Sequence, residues 1–148
     1  MTSDRTPDAG SRPDHHFEIR IYYEDTDAAG IVYYANYLKF TERARTEMMR
    51  ERGASHEDLR RRDGLSFVVK SCAVDYHRPA KLDDILDIRT HIGKTGGASL
   101  NLLQQVFKGD RLLVSMDVRL ALLTSSMKPA RIPKALIAAL QPQYGIGK

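Results

Sequence analysis

The chain has 148 residues, 42% of them hydrophobic and 28% charged, with a formal charge of +4. That balance suits one globular domain: it excludes a wholly disordered chain, and no run approaches the roughly 20 apolar residues of a membrane span. The basic pI near 9.3 favours anionic ligands, but Arg60-Arg61-Arg62 is the only dense basic run and no nucleic-acid motif accompanies it. With Cys72 alone, an internal disulfide and a cysteine-built zinc finger are both excluded.

In chain order, residues 1–16 are polar, broken by Pro7, Gly10 and Pro13, and lack an apolar secretory core. They read as a flexible N-terminal tail before a single domain over 17–148, in a protein expected in the cytoplasm. Phe17 to Tyr23 alternates like a first strand. An acidic loop, Glu24 to Gly30, follows. Tyr34, Tyr37, Leu38, Thr41, Ala44 and Met48 then recur at helical spacing, predicting the longest helix over Tyr34–Arg52, with Gly53 at its C-terminal cap. Ser55 and Asp58 open a short helix that ends near Gly64. Leu65–Tyr76 reads as a strand broken by Pro79 and Asp83-Asp84, and Ile85–Ile92 as the next. Leu100–Phe107 and Leu112–Leu122 read as two more, separated by the turn signals Gly96-Gly97 and Gly109-Asp110. Ile132-Pro133 begins a last short helix. The expected class is α+β, a five-stranded antiparallel sheet around one long helix, with a free sheet edge that invites a second copy.

The acidic loop carries the candidate chemistry. It sets Glu24, Asp25 and Asp27 between a strand and a helix start. Free N–H groups at a helix N-terminus can polarise a carbonyl, and a nearby carboxylate can attack it or activate a water. The same acids are also ordinary helix-capping residues. A calcium loop fails, because Asn36 stands where a bidentate Glu is required. The five histidines form no zinc-hydrolase pair, so no metal is expected. No Gly-rich phosphate loop or Gly-x-Ser-x-Gly elbow is present.

Tyr22-Tyr23-Glu24-Asp25-Thr26-Asp27, Gly30-Ile31-Val32-Tyr33, Ala35-Asn36-Tyr37-Leu38 and Glu42-Arg43-Ala44-Arg45-Thr46-Glu47, with Pro79-Ala80-Lys81-Leu82-Asp83-Asp84 and Met127-Lys128-Pro129, resemble the acyl-CoA thioesterases of the Tol–Pal gene cluster. These belong to the 4-hydroxybenzoyl-CoA thioesterase branch of the hotdog-fold superfamily, and the resemblance covers about residues 17 to 140. It implies a hotdog fold and hydrolysis of an acyl-CoA, or of an acyl carrier protein thioester, without metal or organic cofactor. It implies Asp27 as the catalytic carboxylate, acting as general base or nucleophile, and the Tyr34 backbone N–H as the group that polarises the carbonyl. Asp25 becomes a supporting loop acid. The arginines that contact coenzyme A phosphates in that branch are missing, and Lys94 is the substitute candidate. A homodimer or homotetramer is implied. Cys72 reads as a small core residue, and the cluster Tyr33, Tyr34, Tyr37 and Phe40 as mostly core. A hotdog dehydratase needs a histidine on the long helix, and Tyr34–Arg52 has none. The competing reading is a non-catalytic module that binds acyl thioesters or acyl carrier protein in membrane-lipid synthesis.

Overall fold

The structure, a computed structural model, describes residues 12–142. Strands β1 (His15–Arg20), β2 (Leu65–Tyr76), β3 (Ile85–Gly96), β4 (Ser99–Lys108) and β5 (Arg111–Thr124) form one sheet in the order β1-β3-β4-β5-β2. Every pairing is antiparallel. The α+β class and the five-stranded antiparallel sheet agree with the expectation. Three helices are described where the expected fold centred on one: α1 (Asn36–Glu51), α2 (His56–Asp63) and α3 (Lys134–Ala139).

Alternation sets the layers. Leu86, Ile88 and Ile92 of β3, Leu100, Leu102 and Val106 of β4, and Val114 to Leu122 of β5 at every second position are buried on the face that α1 covers. Gly97 and Gly109, at φ +58° and +61°, close the two hairpins in a conformation other residues resist. From α1, Tyr37, Phe40, Ala44, Met48 and Met49 enter the core. The stripe differs from the expected one in that Leu38 is exposed and Met49 is buried. The reason is that β2, the edge strand beside α1, is itself largely exposed, so that flank of the helix stays open. Gly53 (φ +73°) follows α1, and the Ser55 hydroxyl caps α2 by accepting the Asp58 N–H, both as expected.

Strand β2 carries a bulge between Val69 and Ser71. Val69 pairs with Leu120 and Ser71 with Arg119, so Lys70 is the extra residue. Cys72, expected in the core, is exposed on this edge. No helix among the described residues is long and apolar enough to cross a membrane.

The N-terminal boundary also moves. β1 begins at His15, so His15 and His16, assigned to the tail, pair with Thr90 and Arg89. Asp14 is fixed as well: its N–H reaches the Thr90 carbonyl at 2.8 Å, and its Oδ2 accepts the Ile92 N–H at 2.7 Å. The tail reading for residues 1–11 lies outside the described residues. Asp14→Ala leaves the Ile92 N–H without its carboxylate, and urea unfolding is expected to show a loss of about 1–3 kcal/mol.

Candidate active site

The acidic loop folds as a small hairpin. Thr26 and Val32 form an antiparallel bridge, the Asp27 N–H donates to the Ile31 carbonyl at 2.9 Å, and the Tyr33 N–H donates to the Asp25 carbonyl at 3.0 Å. Gly30, at φ +82°, makes the turn. Asn36, the first residue of α1, donates its side-chain N–H to the same Asp25 carbonyl at 2.9 Å and so fastens the helix to the hairpin.

The two aspartates are used differently, and neither caps α1. The Asp25 Oδ2 accepts the Tyr22 N–H at 2.8 Å and closes a 3-10 turn over Tyr23–Asp25, the supporting role expected of it. Asp27 is half-buried, and its Oδ1 accepts the Ala29 N–H at 2.9 Å in an Asx turn. Among the described residues nothing is bound to its Oδ2. That turn fixes the carboxylate and leaves one oxygen for a water or a substrate.

Helix α1 begins at Asn36 rather than Tyr34, because the Asn36 N–H is taken by the Tyr33 carbonyl at 2.8 Å. Tyr34 therefore sits in the turn that feeds the helix, and among the described residues its N–H has no acceptor. Its carbonyl is anchored by the Tyr76 hydroxyl at 3.0 Å, which links the turn to the end of β2. Tyr33 and Tyr34 are exposed, contrary to the core expectation, whereas Tyr37 and Phe40 are buried. The Tyr37 hydroxyl accepts the Ala80 N–H at 3.2 Å, and burial pushes its pKa up. The Val32 N–H reaches the Ala80 carbonyl at 2.9 Å, and Ile31 bridges to Lys81. The turn at Pro79–Asp84 thus clamps the hairpin from behind.

Lys94 is not brought to this site within one chain. β3 starts at Ile85, paired with Arg20 beside the hairpin, and the exposed Lys94 lies roughly 30 Å along the strand. Among the described residues no group of three His, Cys, Asp or Glu side chains is placed to hold a metal. One buried charge escaped the reading of the helix stripe. Arg45 is 9% exposed and donates to the Gln104 side-chain oxygen at 3.0 Å; burial pushes its pKa down. Its spacing from Tyr37 and Thr41 puts it on the apolar stripe, which was the available signal. The Asn36 and Tyr76 contacts had none, because they depend on how the hairpin docks.

The profile described as the Thioesterase-like superfamily matches residues 22–140, and the chain belongs to that family. The acyl-CoA thioesterase YbgC of Haemophilus influenzae is 42% identical over 124 residues, covering 83% of this chain and 91% of its own. The acyl-CoA thioester hydrolase YbgC of Escherichia coli is 41% identical over 122 residues, covering 81% and 90%. A crystal structure of a probable thioesterase from Bartonella henselae, 38% identical, superposes with a TM-score of 0.76 and covers 80% of this chain and 98% of that one.

The clamp supplies a pH test. Asp84 accepts the Lys81 N–H at 2.8 Å and pairs with the Lys108 ammonium at 2.9 Å. Burial works to raise its pKa, but these partners outweigh it and hold the carboxyl below its ordinary value. A pKa lowered on folding stabilises fully above the unfolded value and is lost as pH falls through the folded one. Asp84→Asn is expected to cost about 1 kcal/mol near neutrality, discounted for the half-exposed Lys108. Denaturation midpoints of variant and wild type should converge as pH falls below the ordinary aspartate range.

Proposed function

We propose that the protein hydrolyses acyl-CoA thioesters, or the equivalent acyl carrier protein thioesters, to free acid and thiol. The observation that carries this reading is an unengaged Asp27 oxygen on the acidic hairpin together with an unengaged Tyr34 N–H in the turn that follows it. The names of the YbgC relatives point to the same chemistry.

The Tyr34 N–H, at the positive end of α1, donates to the thioester carbonyl oxygen and stabilises the negative charge that develops there. Asp27 takes a proton from water as the water oxygen bonds to the carbonyl carbon. Collapse of the tetrahedral intermediate breaks the carbon–sulfur bond, and the thiolate recovers the proton. A weakly nucleophilic carboxylate favours this general-base route over direct attack by Asp27. Thioesters are already activated, so the route draws on no cofactor or metal. Lys94 is too far along β3 to meet coenzyme A phosphates from the same chain, so such a contact falls to a second copy. A coenzyme A substrate also suits a cytoplasmic site of action, and the motif resemblance supports a link to the Tol–Pal cluster.

Strand β2 is one of the two sheet edges, and its exposed Val69 and Tyr76 lie beside α1. A second copy pairing there would cover both and bury the edge N–H and C=O groups, in a homodimer or a homotetramer built from two dimers. Light scattering at micromolar concentration is expected to show a dimer or tetramer; a stable monomer would count against the assembly.

Asp27→Asn keeps an oxygen for the Ala29 N–H and removes the basicity. In a thiol-release assay with acyl-CoA substrates, kcat should fall at least about 100-fold while KM and the melting temperature move little. Undiminished release would overturn the catalytic assignment in favour of a module that only binds acyl thioesters.

A further inference from the structure

A cavity of about 360 Å³ lies between α1, α2 and β2, with Arg45 in its wall. Met49, Phe67, Val69 and Leu120 make its apolar sides. Arg45 is nine-tenths buried, yet among the described residues no carboxylate pairs with it and only its Nη1 has a partner, the Gln104 side-chain oxygen at 3.0 Å. Its Nε and Nη2 are not among the sealed polar atoms that lack a partner, so they face the cavity rather than packed protein. A desolvated guanidinium with free N–H groups in an apolar pocket matches a planar, bidentate anion.

The cavity and the candidate site lie toward opposite ends of α1 and β2. α1 and β2 run antiparallel: the Tyr37 and Tyr76 rings meet at one end, 5.8 Å apart, and Met49 and Phe67 share the cavity at the other. Between them a strip of incompletely covered β2 side chains, Tyr76, Val74, Cys72 and Val69, follows the helix. By the helix rise, Arg45 lies about 14 Å from the start of α1, the reach of an acyl chain of about ten carbons.

We propose that this cavity is a carboxylate-binding site, in which Arg45 holds the far carboxylate of an ω-carboxyacyl group whose thioester lies at the Tyr34 turn. The proposal rests on the thioesterase reading and specifies its substrate class. Glu42 is the one acid among the lining residues; its charge favours the Arg45 cation without forming an ion pair with it, and it accepts the Thr46 hydroxyl at 2.8 Å. With that proton committed, the Thr46 oxygen accepts from the His56 Nε2 at 3.2 Å, so the rim is internally satisfied and the Arg45 fork is left for the ligand.

The test compares the mono-CoA thioesters of octanedioic and decanedioic acid with octanoyl- and decanoyl-CoA, by thiol release. In the wild type the carboxylated substrates should have a kcat/KM at least about tenfold higher. Arg45→Met, which keeps the bulk and removes the charge, should bring the ratio near one, and Arg45→Lys, which loses the fork, should lower it several-fold. Free decanedioate should raise the melting temperature of the wild type more than decanoate does, and more than it raises that of either variant. This binding arm does not depend on turnover, so it scores the pocket even if Asp27→Asn shows the catalytic assignment to be wrong. A wild-type ratio of one or less, or a preference untouched by both substitutions, overturns the proposal. So does an absence of decanedioate stabilisation, the result expected if an acidic side chain of a second copy already fills the fork.

Discussion

The carbonyl oxygen of Asp25 accepts two hydrogen bonds, one from the Tyr33 N–H and one from the Asn36 side chain. One closes the acidic hairpin and the other ties that hairpin to the first turn of α1. The hairpin has no hydrophobic core of its own, and two short strands alone are marginal in water. Its shape is borrowed from this carbonyl and from the Pro79–Asp84 turn behind it, which supplies the Ala80 carbonyl to Val32 and a bridge to Ile31. Catalytic groups held by backbone bonds to rigid elements need little reorganisation when charge develops beside them. The candidate groups, Asp27 and the Tyr34 N–H, sit on this frame, and neither Asp25 nor Asp27 is spent on capping α1.

Under the helix, a polar chain crosses the core. Gln104 donates to the Thr41 carbonyl and the Thr90 hydroxyl, and accepts from Arg45. Each link satisfies a group that burial would otherwise penalise, and a half-satisfied chain would be worse than an apolar one. It also fixes the rotation of α1, because Arg45 can meet Gln104 only in one setting of the helix on the sheet. The surplus N–H groups of Arg45 are the part of that network the protein leaves unused for its own stability.

Much of this was legible in the chain. Leu112 to Leu122 alternates without interruption, and the five strands emerged in order because a half-buried sheet leaves a period of two in its sequence. Asp25 and Asp27 stood out because acids before a helix are chemically conspicuous. The errors have a common physical source. Tyr34 and Leu38 match the helical period, but their burial depends on what covers that flank of α1, and periodicity says nothing of it. Cys72 lies in an apolar run yet on an exposed edge, a matter of sheet order. Asp14 looked like tail because its acceptor role is to a backbone group 78 residues away. The distance from Lys94 to the hairpin, set by the length of β3, likewise leaves no mark in its local sequence.

The extra residue in β2 acts as a frame shift in three dimensions. Before it, Leu65, Phe67 and Val69 sit opposite Thr124, Leu122 and Leu120; after it, Cys72, Val74 and Tyr76 sit opposite Val118, Met116 and Val114. Odd-numbered positions face the helix upstream and even-numbered ones downstream. Excising Lys70 would join the two runs into one regular ladder and keep Cys72, Val74 and Tyr76 opposite their present partners, with the Tyr76 hydroxyl still on the side of the Tyr34 carbonyl. An exposed edge strand normally tolerates change along its length. Here the strand carries one residue more than its pairing needs, so the loss of a single residue between Val69 and Tyr76 can be absorbed by the bulge with Tyr76 still opposite Val114.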